Sequence, residues 1–288
     1  MDDAKITFFM LVTDRDIVMA NYAVMSYSKI KDISFKLQVY SNWISSDLKQ
    51  KYFPVWQKFD YVEIIENNWQ TDTKRPVGST LEGPFERGAT VWDRELKKIT
   101  TPYHATVDAD FEILDAKFIS VMLNKLDSDS NLVAISTDYS STNPEQYDSY
   151  SDEIISLNER WHTWFCIYRR EALQCQMSHA YYEEITSGPI RRNAWDESGY
   201  FQETLKETHG FKLDVLDNKY QRGFIHYGAF SKNCDINETN VSLYRSLQIL
   251  CKCGSPIFTR KLAGFLYKIF FGQTDKKRSK YVDGWGKT

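Results

Sequence analysis

Residues 103–114 read YHATVDADFEIL. The stretch opens on a short, nearly continuous apolar run and delivers two aspartates, Asp108 and Asp110, one residue apart. Unbroken apolar runs of this length mark strands buried on both faces of a parallel sheet. In such sheets ligands bind beyond the carboxyl ends of the strands. On a strand, residues i and i+2 share a face, so both carboxylates are expected to point at one object. Two close negative charges repel unless a cation neutralises them, and a hard divalent ion, Mn²⁺ or Mg²⁺, takes carboxylate and phosphate oxygens together. The plainer alternative is an aspartate pair that only caps the following helix.

The flanking sequence supplies the sheet. KITFFMLV (5–12), FKLQVYS (35–41) and YVEIIE (61–66) read as strands. Between them, IVMANYAVMSYSKI and DLKQKYFPVWQKF read as helices, the second capped by Ser45-Ser46-Asp47 and kinked or shortened by Pro54. Alternating strand and helix is the signature of an α/β domain. ATVWDRELKKI is a further helix before the aspartate strand, and DAKFISVMLNKL, capped by Asp115, is one after it. LVAISTDYS reads as a strand, WHTWFCIYRREAL as a strand entering a helix, and AWDESGYFQETLKETHG as a helix stopped by Gly210. FKLDVLD and FIHYGAF are short strands. Residues 67–88 and 138–158 are polar loops, the first rich in Gly, Pro and Thr. Long loops in a compact domain are usually mobile or functional.

Bulk properties narrow the class. With 288 residues and 42% hydrophobic content, the chain can bury one large core. The net charge of -3 is uneven: from Cys251 onward there are nine Lys/Arg and two Asp/Glu, so an acidic body carries a basic tail. The acidic body and the lack of any binding motif argue against a nucleic-acid partner. The five cysteines show neither a disulfide framework nor zinc spacing, which fits free thiols in a reducing cytoplasm. The acidic start, MDDAKITFFMLVTDRD, is unlike a secretory signal. In the tail, IFTRKLAGFLYKIFF (257–271) has apolar residues at helical spacing with Arg260, Lys261 and Lys268 opposite. Such a basic amphipathic helix either packs on the domain or lies on an anionic membrane surface.

The segment ITTPYHATVDADFEI resembles the D-x-D region of GT-A fold glycosyltransferases, which use nucleotide-diphosphate sugars. The likeness extends over residues 5–235 as element order plus local motifs. It implies a mixed, mostly parallel Rossmann-like sheet flanked by helices. The single domain would cover 1–245, with a nucleotide-binding half at 1–112, an acceptor-binding half at 113–245, and a basic helical tail at 246–288. Asp108 and Asp110 would hold Mn²⁺ or Mg²⁺ against the donor diphosphate. FIHYGAFSK resembles the end of retaining members, H-x-x-G-x-x-K-P-W, which makes His226 the third metal ligand and Lys232 a diphosphate contact. The glycine comes one residue early, at Gly228, and Asn233-Cys234 replace Pro-Trp.

By the same resemblance, Thr13 and Asp14 in LVTDRD would contact the nucleoside, unless they only cap the next helix. Arg94, or its competitor Arg87, would reach the nucleotide or sugar. Asp196 and Glu197 in NAWDESGYF would act at the acceptor hydroxyl or the anomeric centre, unless they only start a helix. Trp161, Trp164 and Trp195 would offer indole faces to sugar C–H groups, or fill core. The activity implied is transfer from a nucleotide-diphosphate sugar, UDP-sugar first, to a saccharide or lipid-linked saccharide. It suits surface-polysaccharide synthesis at the inner face of the cytoplasmic membrane, and the His226–Lys232 spacing leans to retention. The competing readings are a haloacid-dehalogenase-like phosphatase, whose D-x-D usually lies near the N-terminus, and a non-catalytic carbohydrate-binding protein of the same fold.

Overall fold

The computed structural model describes residues 3–42, 44–66, 88–140, 160–174, 201–202, 204–208, 210–228 and 236–253. Seven strands form the central sheet: β1 (Ile6–Val12), β2 (Phe35–Ser41), β3 (Val62–Glu66), β4 (Tyr103–Asp108), β6 (Leu132–Ser136), β9 (Phe165–Arg169) and β10 (Lys212–Val215). Their order is β10-β6-β9-β4-β1-β2-β3. All neighbours are parallel except β9, which runs antiparallel to both β4 and β6. The expected mixed, mostly parallel sheet is therefore present.

Sequence explains the position of each strand. β4 and β6 are buried almost throughout, as is β1, because they lie inside the sheet with both faces covered. The outermost β3 and β10 are only partly buried and carry Glu63, Glu66, Lys212 and Asp214. Charged side chains on an open edge discourage pairing with another chain.

Helices cover both faces. Ile6, Phe8, Met10 and Val12 turn to one side, where they meet α1 (Ile17–Ser26), α2 (Ser46–Trp56) and, across the sheet, α4 (Lys117–Ser128). Phe9 turns to the other, against Val91 and Trp92 of α3 (Gly88–Glu95) and Leu96 just after it. This is the period-two alternation of a strand read through two cores. Helix α2 runs through Pro54 and ends at Trp56, short of the span read from the sequence. Asp115 does accept the Lys117 amide at the start of α4, at 3.1 Å. Gly210 sits at φ +63°, the left-handed conformation that favours glycine at a helix stop.

Two smaller strand pairs complete the fold. β5 (Phe111–Ile113) pairs antiparallel with β11 (Phe224–His226), and β7 (Tyr139–Ser140) with β8 (Arg160–Trp161). Behind the β5–β11 ribbon, Met19 of α1 meets Ile225, Tyr227, Val241 and Tyr244 in a third apolar cluster. The last two belong to α5 (Glu238–Cys253), which continues through residue 245.

One buried group in the sheet makes a pH prediction. His104 of β4 is fully buried and stacks on Tyr168, and both its ring nitrogens lack a hydrogen-bond partner among the described residues. Burial disfavours its charged form and pushes its pKa from 6.5 to about 3. The unfolded chain therefore takes up the proton first, so stability is kept above the unfolded value and falls as pH drops toward 3. Between pH 7 and 5 this linkage removes about 2 kcal/mol. Urea unfolding of His104→Phe should lose about 2 kcal/mol less than the parent chain over that interval. Equal losses in both would show that His104 does not carry the effect.

Candidate metal centre

Asp108 is the last residue of β4, beside Leu11 at the end of β1. Its amide donates to the Trp164 carbonyl at 2.8 Å, which extends the β4–β9 ladder by one step. Asp110 is not on that strand, as the alternation argument expected; it lies in the turn between β4 and β5. The turn has a packing cause. Phe111 is fully buried, stacked against Phe165 and Phe224 at 4.6 and 4.7 Å between ring centroids, and the chain bends to seat it.

The same bend delivers the third group. His226 of β11 pairs with Phe111 in register, and the Tyr227 amide donates to the Asp110 carbonyl at 2.9 Å. His226 Nε2 is then 3.2 Å from Asp110 Oδ1 and 3.6 Å from Asp108 Oδ2. One donor atom from each residue lies within 4.8 Å of the other two. Burial opposes charge on His226, but the Asp110 charge, hydrogen bonds to Asp108 and Asp110, and the Asp108 charge outweigh it and raise its pKa to about 9. Two carboxylate oxygens and an imidazole nitrogen are a suitable donor set for a divalent ion such as Mn²⁺ or Mg²⁺.

The other expected residues divide. Thr13 and Asp14 follow β1 at the same edge of the sheet, and neither caps α1, whose N-cap is Asp16. The Thr13 hydroxyl donates to Asp16 at 2.7 Å, and the Asp14 carboxylate accepts the Ser45 amide at 2.6 Å. Arg94 donates to the Tyr40 hydroxyl at 2.6 Å and to Glu95 at 2.8 Å, on the face of the sheet covered by α3. Trp161 is buried, its backbone bonded twice by the Gln202 amide and its ring under Lys206 at 5.2 Å. Arg87, Asp196, Glu197, Trp195, Lys232 and the tail from residue 254 lie outside the described residues.

Trp164 is the tryptophan at the centre. Its ring is 4.0 Å from His226 and stacks on His162 at 3.9 Å. Its buried indole nitrogen has no hydrogen-bond partner among the described residues. The sequence reading grouped it with two other tryptophans and could not separate them, because the strand reversal that brings it there has no local signal. Asp16 was missed altogether. Burial pushes its pKa up to about 6, and the charges of Asp110 and Asp108 add to this against the Thr13 hydrogen bond, so the field of the centre reaches it. Its signal was its place in TDRD, four residues after a buried strand.

Glu112, Tyr227 and Arg245 were missed too. Glu112 is 1% exposed. It takes Arg245 Nε at 3.0 and 2.8 Å and Nη2 at 2.7 Å, and the Tyr227 hydroxyl at 2.8 Å. No family model matches the chain, and no curated protein matches it. Among solved structures it is similar to mannosyltransferase PcManGT from Pyrobaculum calidifontis, at 9% identity and a TM-score of 0.49, covering 98% of this chain and 79% of that one. It is similar to LgtC at 11% identity and a TM-score of 0.49, covering 82% and 81%. Glucosyl-3-phosphoglycerate synthase from Mycobacterium tuberculosis matches at 12% identity and a TM-score of 0.46, covering 89% and 82%. At this level of likeness, function has to be read from the site's own residues.

Proposed function

We propose that the chain is a metal-dependent GT-A glycosyltransferase that moves a sugar from a nucleotide-diphosphate donor, a UDP-sugar first, to a saccharide or lipid-linked saccharide. The observation that carries this reading is the convergence of Asp108, Asp110 and His226 beyond the carboxyl end of β4. A Mn²⁺ or Mg²⁺ ion held there supplies a Lewis acid for the diphosphate leaving group. A haloacid-dehalogenase-like phosphatase is not favoured, since the aspartates follow the fourth strand and their third partner is an imidazole.

The remaining roles are those the resemblance implies: Thr13 and Asp14 contact the nucleoside, and Arg94, or Arg87, the nucleotide or sugar. Lys232, six residues after His226, contacts the diphosphate, and this spacing leans to retention. Asp196 or Glu197 acts at the anomeric centre or takes the acceptor hydroxyl proton. Trp161 and Trp195 are the acceptor-side aromatics, and Trp164, whose indole N–H has no partner among the described residues, stands beside His226 as a further aromatic at the centre. No helix among the described residues is long and apolar enough to cross a membrane. The basic tail would hold the enzyme at an anionic membrane surface, as a lipid-linked acceptor in surface-polysaccharide synthesis requires.

A thermal-shift panel of UDP-, GDP-, CMP- and dTDP-sugars, each with and without Mn²⁺, tests the scheme. One nucleotide is expected to stabilise the chain only with metal. At a hundredfold excess over Kd this is worth about 2.7 kcal/mol, a shift of several degrees. A flat panel would remove the basis of the reading, and binding without turnover would move the chain to the non-catalytic alternative.

A further inference from the structure

We infer that Glu112, Tyr227 and Arg245 form a register lock, and that Arg245 is a positioning residue of the metal centre. The inference rests on the reading that Asp108, Asp110 and His226 hold a divalent ion.

The lock answers a weakness in the ribbon. β11 meets β5 over three residue pairs, Phe224↔Ile113, Ile225↔Glu112 and His226↔Phe111, and backbone bonds from the Tyr227 amide to Asp110 and from the Leu114 and Asp115 amides to Gly223 close its two ends. A two-stranded ribbon this short specifies its register poorly by itself. Register decides the site, because a slip of one residue turns every side chain of a strand to the opposite face. Such a slip would carry His226 away from Asp110 and put Tyr227 in its place.

Glu112 and Tyr227 occupy the ribbon's other face. They alternate with Phe111 and His226, and Ile225 and Tyr227 pack there on Met19 of α1 and Val241 of α5. The Tyr227 hydroxyl reaches Glu112 across the ribbon, and Arg245 of α5 grips both oxygens of the same carboxylate. The guanidinium also lies over the Tyr22 ring of α1 at 5.0 Å. All these contacts exist in one register only. Each strand residue of the lock is covalently close to a ligand: Tyr227 follows His226, and Glu112 lies two residues after Asp110.

Stability alone does not account for the network. A buried ion pair is often no better than apolar groups of the same shape, and fixing register is the best-attested use of buried polar groups. Residues that orient metal ligands from outside typically change metal affinity by 10–100-fold when altered.

The experiment separates the two roles. The triple variant Glu112→Leu, Tyr227→Phe, Arg245→Leu replaces the lock with apolar groups, and Mn²⁺ binding by calorimetry is read beside the thermal midpoint. A midpoint within a few degrees of the parent is expected, with Mn²⁺ bound about tenfold more weakly. Tyr227→Phe and Arg245→Lys, the conservative singles, should fall between, and they keep the inference testable if the triple variant does not fold. Lys51→Ala removes the Lys51–Glu238 pair that ties α2 to α5 and spares Glu112; it should bind Mn²⁺ as the parent does. The lock is overturned if the triple variant, or failing it both single variants, bind Mn²⁺ as tightly as the parent. It is equally overturned if Lys51→Ala weakens binding as much as Arg245→Lys. A parent chain that binds no Mn²⁺ at all overturns the metal assignment, and the inference with it.

Discussion

Replacing Asp110 with alanine is expected to abolish Mn²⁺-dependent binding of the sugar nucleotide while leaving the fold intact. Asp110 is the best-buried carboxylate of the trio and the one nearest His226, at 3.2 Å. Its structural bond, the carbonyl that accepts the Tyr227 amide, belongs to the backbone and survives the substitution. The lost side chain removes a negative charge that acts on Asp16 but also the favourable contact to His226, so a folding penalty of about 1–2 kcal/mol is expected. Transfer should fall by a factor of about a thousand or more, equivalent to about 4 kcal/mol of transition-state stabilisation. Asp110→Asn keeps the shape and one neutral oxygen and should fall between. Sugar-nucleotide turnover measured across a Mn²⁺ titration checks this; full metal-dependent turnover by Asp110→Ala would take Asp110 out of the ligand set.

The second large effect is on stability. Phe111→Ala should cost about 4 kcal/mol in urea unfolding, in the range for a fully buried aromatic reduced to a methyl. The ring stacks on Phe165 and Phe224 and meets Phe118 edge-on, so it joins the central sheet, the β5–β11 ribbon and α4. Ring pairs of this kind each add about 1 kcal/mol beyond the area they bury. Phe111→Leu, which keeps most of the apolar volume but not the stacking, should cost about 1.5 kcal/mol. A loss below 1 kcal/mol for the alanine variant would mean that the ribbon stands without its aromatic seat.

These cases show why some of the protein was legible in its residues. β1, β4 and β6 were readable because strands inside a sheet must be apolar on both faces, which leaves unbroken runs. The candidate metal trio was readable because two close carboxylates and a distant histidine carry chemistry in their residue types. The turn that places Asp110 was not, since its cause is Phe111 meeting side chains from β9 and β11. The direction of β9 was equally silent, as a strand's local pattern says nothing about its neighbours. Helix α5 was missed because its apolar stripe is not clean: Val241, Tyr244 and Leu247 are buried together with the polar Gln248, while Leu250 is exposed.

The reversal of β9 also has a fastening of its own. β6 leaves the sheet at the edge where β9 enters it, and the β7–β8 pair joins the two at the base through Tyr139↔Trp161 and Ser140↔Arg160. The β7–β8 pair is thus a neck that ties β6 to β9 by backbone bonds, at the rim where Trp164 and the carboxylates stand, and it holds the direction of β9 without calling on any side chain of the metal centre.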